Sequence, residues 1–235
     1  MHLVNVCGHS FLRGLLCDKA IVLDCGANHG DFSGWISNNL NAVVHAFEPD
    51  PRLFSKLPPL PRVHFYPLAV SGSGRSLRLM LGEARCSTAC FCENPGQQAT
   101  IVDSVRLDQF CLKHSMSRID LIKMDVEGAE IGILASLSNE FLSNVGQLTV
   151  EFHDFIQKNE TSRIRNVILK LKNAGFFYIR FSFFDYADVL FINKNIHHLS
   201  WSDISLICGV KYLQGLRRMV RRKFNLFYKK AASCP

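Results

Sequence analysis

The sequence contains no apolar run that approaches the ~18 residues that a helix needs to span a membrane. This absence excludes a helical integral membrane protein. The N-terminal segment lacks a basic stretch and a small-residue cleavage site, so we predict no signal peptide. Internal repeats and low-complexity stretches are lacking as well, so nothing divides the body of the chain into further domains.

Acidic residues are missing after Asp203, which leaves a basic C-terminal segment. The net charge of the whole chain is +7. Without this segment the chain is close to neutral, which is not typical of a nucleic-acid-binding domain, so we expect no nucleic-acid partner. The basic residues of the segment are Lys211, Arg217, Arg218, Arg221, Arg222, Lys223, Lys229 and Lys230.

The composition is that of an ordinary globular protein. The chain has 235 residues, of which 48% are hydrophobic and 20% charged, with 15 glycines. This length and composition predict one domain with a sizeable core and exclude a disordered chain, a collagen and a coiled coil.

Nine cysteines are many for this length, but their spacing does not indicate a disulfide framework. Cys86, Cys90 and Cys92 form a cluster that lacks the fourth ligand of a zinc site. Free thiols in a reducing compartment follow from this pattern, so we expect a cytoplasmic protein.

Buried strands alternate with amphipathic helices along the chain, which predicts a doubly wound, mostly parallel α/β sheet of the Rossmann-like type. The last two strands have no helix between them, so we expect them to form an antiparallel hairpin at one edge. The predicted domain covers residues 1–199, and a basic amphipathic tail covers residues 200–235. The predicted strands are 21–26, 42–47, 63–70, 119–125, 147–153, 176–183 and 187–192, and the predicted helices are 30–40, 50–57, 108–114, 128–137 and 161–173.

A glycine-containing loop follows the first predicted strand, at the sheet edge where such folds bind ligands. Gly26 permits a tight turn, and Gly30 allows the next helix to pack closely on the strand. The loop departs from the dinucleotide pattern, because Asn28 stands where the second glycine would be. Asp24, immediately before the loop, would repel a diphosphate but suits the ammonium and sulfonium of S-adenosylmethionine.

Glu48 ends the second predicted strand, where its two oxygens can accept hydrogen bonds from both ribose hydroxyls of such a ligand. For Asp24 alone, a turn or capping role is the alternative. We predict that S-adenosylmethionine binds at the carboxyl ends of the first three strands. The predicted lining residues are Asp24, Gly26, Asn28, Gly30, Glu48 and Ala69.

Further motifs make the chain resemble the FkbM family of S-adenosylmethionine-dependent methyltransferases. The resemblance covers most of residues 21–153 and includes the combination of D-x-G-A-N-x-G, F-E-P and K-x-D-V-E-G-A-E in this order. It implies methyl transfer to oxygen, often a sugar or polyketide hydroxyl. The segments that carry it are VLDCGANHGDFS, HAFEPDP, LAVSG, VRLDQF, IDLIKMDVEGAEIGILASL and EFH.

Candidate catalytic residues lie at the ends of the fourth and fifth predicted strands. Asp125 ends the fourth, while Glu151 and His153 lie two apart on the fifth and therefore share a face. His153 is a candidate general base that Glu151 or Asp125 would orient. The structural alternatives are a packed histidine and a helix cap before Gly128, and we expect Glu127 and Glu130 to complement the helix dipole.

We predict no metal site, although two carboxylates and an imidazole form a donor set that a divalent metal also accepts. Two other classes stay open: a nicotinamide-dependent oxidoreductase, against which Asn28 argues, and a non-catalytic or nucleic-acid-binding module that uses the tail. Residues 211–230, read as a helix, have an apolar stripe opposite a basic face. This pattern predicts either peripheral contact with an anionic membrane or packing on the domain itself.

Overall fold

The computed structural model describes residues 2–81, 87–88, 98–153, 160–182 and 185–209. The cysteine cluster at Cys86, Cys90 and Cys92 lies outside these residues, as does the predicted amphipathic segment 211–230. Among the residues described, no helix combines the length and apolar character needed to cross a membrane. The described cysteines Cys7, Cys17, Cys25, Cys111 and Cys208 are free thiols.

The described residues form, in chain order, fourteen strands and six numbered helices. The strands are β1 Leu3–Val6, β2 His9–Leu12, β3 Ile21–Cys25, β4 Val43–Phe47, β5 Val63–Tyr66, β6 Ala69–Val70, β7 Leu77–Leu81, β8 Ser87–Thr88, β9 Ala99–Val102, β10 Ser104–Val105, β11 Ile119–Met124, β12 Val145–Val150, β13 Phe176–Arg180 and β14 Val189–Asn193. The helices are α1 Asp31–Asn39, α2 Pro51–Phe54, α3 Leu107–Lys113, α4 Glu130–Ser136, α5 Asn139–Ser143 and α6 Glu160–Asn173, and residues 201–209 are also helical.

A seven-stranded sheet in the order β13-β14-β12-β11-β3-β4-β5 forms the centre of the molecule. All neighbouring strands from β12 to β5 pair in parallel, whereas β14 is antiparallel to both β12 and β13. The predicted doubly wound sheet and its antiparallel edge hairpin are therefore confirmed. The strand order places the ends of β3, β4 and β11 side by side, which is the arrangement that brings the predicted site residues together.

Two hydrophobic clusters cover the two faces of the sheet. One contains Phe110 of α3, Leu134 of α4 and Val167 of α6. The other contains Ile36 of α1 and Ile207 of the helix over residues 201–209, so the first turns after the predicted domain boundary pack on the domain. Buried apolar side chains on both faces explain why the central strands read as continuous hydrophobic runs.

Several predicted elements have different bounds in the structure, and three of these differences have a physical cause or a consequence for the site. The predicted strand 63–70 is interrupted at Pro67, which has no amide proton for a ladder hydrogen bond, so β5 pairs with β4 and β6 pairs with β10 instead. The predicted helix 128–137 is shorter, and Ser138 caps a separate helix, α5. The predicted strand 147–153 ends at Val150, so Glu151 and His153 lie beyond it.

An N-terminal hairpin, β1 and β2, is absent from the sequence-based prediction. Cys7 and Gly8 form its turn, both with positive φ. The Gln147 side chain donates to the Leu12 carbonyl oxygen and accepts from the Leu12 amide, at 3.1 and 2.9 Å. The Ser10 amide and hydroxyl both donate to Asp188, at 3.0 and 2.7 Å. These bonds fix β2 against the sheet beside the carboxyl end of β12.

Candidate functional site

A cleft opens at the carboxyl ends of β3, β4 and β11 and has a volume of about 570 Å³, its open mouth included. Four of the predicted cofactor residues and one predicted catalytic residue, Asp125, border the same cleft. It is lined by Gly26, Asn28, Phe47, Glu48, Pro49, Leu53, Ala69, Val70, Leu79, Asp125, Val126 and Glu127.

The loop after β3 forms the floor of this cleft. The amides of Gly26 and Ala27 donate to the Phe47 carbonyl oxygen at 3.1 and 2.8 Å, which ties the loop to β4. Gly26 has a φ of +84°, and a Cβ there would lie 1.8 Å from the Asp125 carbonyl oxygen. Only glycine fits this position, because the loop crosses directly over the end of β11.

Glu48 holds the loop from the other side. Its Oε2 accepts from the Asn28 amide at 2.7 Å, and its Oε1 accepts from the Asp50 amide at 2.8 Å. Burial raises the pKa of Glu48 to about 7, although both backbone hydrogen bonds act in the opposite direction. Each oxygen retains a second lone pair for a donor in the cleft.

Asn28 takes the left-handed conformation, with a φ of +51°, which its short polar side chain tolerates. Its Oδ1 is buried and accepts no hydrogen bond from the described residues. An acceptor without a protein donor at the wall of a cleft is available to a donor from a ligand or from water.

Asp24 is fully buried and does not line the cleft. Ser33 donates to its Oδ2 at 2.7 Å, and Lys123 Nζ lies 3.2 Å from its Oδ1. Gly30 is also set back, as the residue that precedes α1, with a φ of +80°. The structure therefore places Asp24 and Gly30 behind the loop, whereas Gly26, Asn28, Glu48 and Ala69 face the cleft.

Asp125 lies at the centre of an acidic cluster just beyond β11. His153 Nε2 lies 3.8 Å from its Oδ1, while Lys123 Nζ and His9 Nε2 each lie 3.5 Å from its Oδ2. Burial acts to raise the pKa of Asp125, but His9, Lys123 and His153 together lower it to about 2. Asp125 is therefore ionised at neutral pH.

His153 bridges two further carboxylates. Its Nδ1 lies 2.9 Å from Glu130 Oε1, and its Nε2 lies 3.1 Å from Glu127 Oε2. Burial acts to lower the pKa of His153, but the hydrogen bonds to Glu127 and Glu130 raise it to about 11. A ring that donates through both nitrogens has no lone pair for a substrate proton. This geometry argues against the predicted general-base role and favours a positioning role for His153.

Glu130 fixes the turn between β11 and α4. It accepts hydrogen bonds from the amides of Val126 and Gly128, each at 3.1 Å, as well as bonding to His153. The glutamate in the first turn of α4 thus holds the turn that precedes its own helix, and its position at the helix N-terminus agrees with the expected dipole role. Glu127 differs, because it pairs with His153 and lines the cleft.

Glu151 completes the predicted catalytic group. Its amide donates to the Met124 carbonyl oxygen at 2.9 Å, which holds it beside the end of β11. Its Oε2 lies 4.0 Å from His9 Nε2. Burial and the neighbouring Asp125 raise the pKa of Glu151. Asp125, Glu151 and His153 are thus brought together, although the common strand face expected for Glu151 and His153 is not the reason.

His9 and Lys123 are functional candidates that the sequence analysis does not single out. Lys123 is the lysine of the K-x-D motif, two residues before Asp125, so the sequence motif could have identified it as a site residue. His9 has no such signal, because it reaches the cluster only through the docking of the N-terminal hairpin. Two sets of side chains among the described residues are spaced to hold a metal ion: His9, Asp125 and Glu151, and Asp125, Glu130 and His153.

The family model described as Methyltransferase FkbM domain matches residues 24–178. The matched region begins at Asp24 and contains the glycine loop, Glu48 and the acidic cluster. The match confirms the resemblance drawn from the motifs.

Two curated relatives are 28% identical to this chain. The AMB antimetabolite synthetase AmbE of Pseudomonas aeruginosa aligns over 183 residues, which cover 60% of this chain and 9% of that protein. The 2-O-methyltransferase NoeI of Sinorhizobium fredii aligns over 155 residues, which cover 57% of this chain and 63% of that protein. The chain therefore spans less than two thirds of the length of either relative.

Similar solved structures include two proteins from other organisms. Aeropyrum pernix fibrillarin, with natively bound S-adenosyl-L-methionine, is 12% identical with a TM-score of 0.43, covering 75% of this chain and 66% of that one. A putative rRNA-methylase from Clostridium thermocellum is 10% identical with a TM-score of 0.45, covering 81% and 96%.

Proposed function

Because the chain belongs to the family of FkbM methyltransferase domains, we propose that it methylates a hydroxyl oxygen of a sugar, a glycan or another small metabolite. S-adenosylmethionine is the cofactor of this methyltransferase class. Oxygen as the accepting atom is supported by the relative from Sinorhizobium fredii, whose name states 2-O-methyl transfer.

The polar groups that line the cleft are complementary to those of S-adenosylmethionine. Glu48 offers two carboxylate oxygens, each with one backbone donor and one lone pair left, which matches the vicinal hydroxyls of a ribose. Asn28 Oδ1 is a buried acceptor that a donor of the cofactor can satisfy. Gly26 and Ala69 keep side-chain bulk out of the cleft. When bound, S-adenosylmethionine supplies an activated methyl group on a sulfonium.

Asp24 and Gly30 act on the cofactor indirectly in this proposal. Asp24 neutralises Lys123, and the Lys123 ammonium in turn donates to the Gly26 carbonyl oxygen. The loop is thereby held from beneath, and Gly30 permits α1 to begin directly after it. Both residues are therefore positioning residues for the loop that receives the cofactor.

Asp125, Glu151 and His153 border the proposed site of methyl transfer. The carboxylates of Asp125 and Glu151 are partly exposed and face the acceptor side, where they can receive a hydrogen bond from its hydroxyl group. His153 holds Glu127 and Glu130 and thereby fixes the turn that carries Asp125. Alignment of the hydroxyl oxygen is the main contribution that we expect from these groups.

The proposal rests on the observation that Glu48 and Asp125 line the same cleft. Glu48 marks the end at which a ribose diol would bind, and Asp125 marks the acidic end, with the Gly26 loop between them. A cofactor that reaches from one to the other presents its reactive end to the acidic cluster. A nicotinamide cofactor is disfavoured because the Asn28 side chain occupies the position of the second glycine of the dinucleotide pattern.

Calorimetric titration with S-adenosylmethionine and with NAD tests the cofactor. We expect saturable binding of S-adenosylmethionine and none of NAD, and the reverse result would refute the proposal. A screen of acceptors that offer hydroxyl groups, amines or activated carbon atoms, with a radiolabelled methyl donor, tests the reaction. Transfer of label to a nitrogen or carbon acceptor, with no transfer to hydroxyl groups, would contradict the assignment of oxygen.

A further inference from the structure

We propose that His9, Asp125 and Glu151 bind a divalent metal ion at the mouth of the cleft, where the ion would hold the hydroxyl oxygen of the methyl acceptor. The three side chains come from β2 and from the residues that follow β11 and β12. The role of the ion rests on the proposed function, whereas its binding can be measured without it.

The first observation that supports a metal site is the burial of the His9 ring without a hydrogen-bond partner in the part of the chain that the structure describes. The ring is fully buried, and neither of its nitrogens has a hydrogen-bond partner among the described residues. A buried polar group without a partner is costly, so native proteins rarely retain one without a reason. Nε2 points at two carboxylate oxygens but stays 3.5 Å from Asp125 Oδ2 and 4.0 Å from Glu151 Oε2.

These separations suit an ion better than a direct hydrogen bond. One ligand atom from each of the three residues lies within 4.8 Å of the others. Donor atoms that each lie about 2.1 Å from one ion are about 3.0–3.4 Å apart at octahedral or tetrahedral angles. Small side-chain rotations would therefore bring all three atoms into coordination distance.

The charge around the cluster also favours a cation. Five carboxylates lie in or next to it, against the two cationic groups Lys123 and His153. Lys123 approaches Asp125 Oδ2, but its ammonium also lies 3.2 Å from Asp24 Oδ1. The excess negative charge therefore remains on the side of the cluster that faces the cleft. The carboxylates are those of Asp24, Asp125, Glu127, Glu130 and Glu151.

The second possible donor set, Asp125, Glu130 and His153, is less suitable. Glu130 and His153 already bond to each other at 2.9 Å, and Glu130 also accepts from two backbone amides. Binding a metal there would break these bonds. By contrast, Asp125 and Glu151 are 27% and 32% exposed and Asp125 lines the cleft, so the first set is accessible on one side and closed by the buried His9 on the other.

One imidazole and two carboxylates suit an ion that accepts both nitrogen and oxygen, such as Mn²⁺. Three protein ligands leave further positions open for oxygen atoms of another molecule. An acceptor with one or more hydroxyl groups is the class of compound that can fill them, and coordination would lower the pKa of the bound hydroxyl.

Titration with MnCl₂, followed by electron paramagnetic resonance, tests the site in the full chain without cofactor or acceptor. We expect saturable binding of one ion and a magnetic coupling to one imidazole nitrogen. Glu151→Gln should weaken binding at least tenfold. Glu127→Gln removes an equal charge from a neighbouring carboxylate outside the donor set, so it should weaken binding less than about threefold.

His9→Ala should abolish the nitrogen coupling, and His153→Gln should retain it. Circular dichroism checks that each variant folds. If His9→Ala does not fold, the affinity of Glu151→Gln for Mn²⁺ tests the site instead. The proposal is overturned if the wild type shows no saturable binding, if Glu127→Gln and Glu151→Gln weaken binding equally, or if His153→Gln alone removes the coupling. Calorimetry with S-adenosylmethionine on the same samples separates failure of the metal site from failure of the cofactor site.

Discussion

Lys123 Nζ lies 3.2 Å from Asp24 Oδ1 in the interior of the protein, and the two residues are register partners on the adjacent parallel strands β11 and β3. The same ammonium donates to the Gly26 carbonyl oxygen. This ion pair therefore connects the end of β3, the glycine loop and the acidic cluster. It explains why an aspartate predicted to face the ligand is instead buried beneath the loop.

Replacement of Lys123 by methionine should destabilise the protein by about 3–5 kcal/mol, because Asp24 would keep a buried charge without its partner. Urea unfolding measures the change. Arg118→Met is the control, since its half-exposed side chain lies 2.8 Å from Asp120, which keeps the Ile21 amide as a donor, so this loss should be smaller than that of Lys123→Met. The double variant Asp24→Asn/Lys123→Met should recover part of the loss. A single variant as stable as the wild type would contradict the structural role of the pair.

Replacement of Glu48 by alanine should weaken binding of S-adenosylmethionine by about 1.5–3 kcal/mol, the scale of hydrogen bonds to a charged acceptor. The loop would also lose the acceptor for the Asn28 amide. Calorimetry at pH 8 measures the affinity. Glu140→Ala, an exposed carboxylate on α5, is the control and should leave the affinity unchanged. Unchanged affinity in Glu48→Ala would remove Glu48 from the cofactor site.

The pKa of Glu48, raised to about 7, predicts a pH dependence of cofactor binding. Donation from ribose hydroxyls favours the ionised carboxylate, and this form is lost in the free protein as pH falls through about 7. Affinity should therefore be about tenfold lower at pH 6 than at pH 8. Burial is the main cause of the raised pKa, Asp50 adds to it, and Lys123 acts against it.

The ratio of wild-type affinity to that of Glu48→Gln isolates this effect from titration of the cofactor itself. Glu48→Gln has no ionisable group at this position, so the ratio should rise with pH and level off above about pH 8. A ratio that is constant between pH 6 and pH 8 would show that Glu48 does not titrate in this range.

Gly26→Ala should destabilise the protein by an amount on the order of 3 kcal/mol or more, because the new methyl group would lie 1.8 Å from the Asp125 carbonyl oxygen at a φ of +84°. Gly132→Ala is the matched control. Gly132 lies inside α4 with no atom within 4 Å of an added Cβ, so alanine should stabilise the helix by about 0.5–1 kcal/mol. Thermal unfolding measures both, and equal stability of the two variants would contradict the close crossing of loop and strand.

The central sheet was predictable because most of its strands are short, mainly apolar segments and its ligand edge carries a glycine loop. The break at Pro67 could also have been predicted, since proline cannot donate a hydrogen bond within a sheet. The β-forming residues on either side of it favoured one continuous strand instead. The N-terminal hairpin was not readable. Its strands have four residues each, and Gln147 and Asp188, which hold it, lie far along the chain.

In the candidate site, too, local sequence patterns predict some residues, whereas contacts between distant parts of the chain determine others. Gly26, Glu48 and Asp125 stand at strand ends, and strand order alone brings them to one edge. His9 reaches Asp125 through tertiary contacts that no local pattern encodes. The protonation of His153 likewise depends on Glu127 and Glu130, which the sequence indicates only as helix-end acids.

His45 should make the protein less stable in acid, at a place remote from the cleft. Its ring stacks on His64 and Tyr66, with centroids 5.2 and 5.8 Å away, and its Nδ1 lies 2.9 Å from the Tyr66 hydroxyl. Burial lowers the pKa of His45 to about 4, and the nearby His64 and His114 act in the same direction.

The unfolded chain binds this proton at its ordinary pKa of about 6.5, whereas the folded chain does not until about pH 4. Stability should therefore fall as pH decreases from about 6.5 to 4, by up to about 3 kcal/mol, with no further loss from this group below pH 4. Urea unfolding at pH 7 and pH 4.5 measures the difference. His45→Gln keeps a polar partner for Tyr66 without the titration, so its loss of stability over this interval should be smaller than that of the wild type. Equal losses in both proteins would exclude His45 as the source of acid sensitivity.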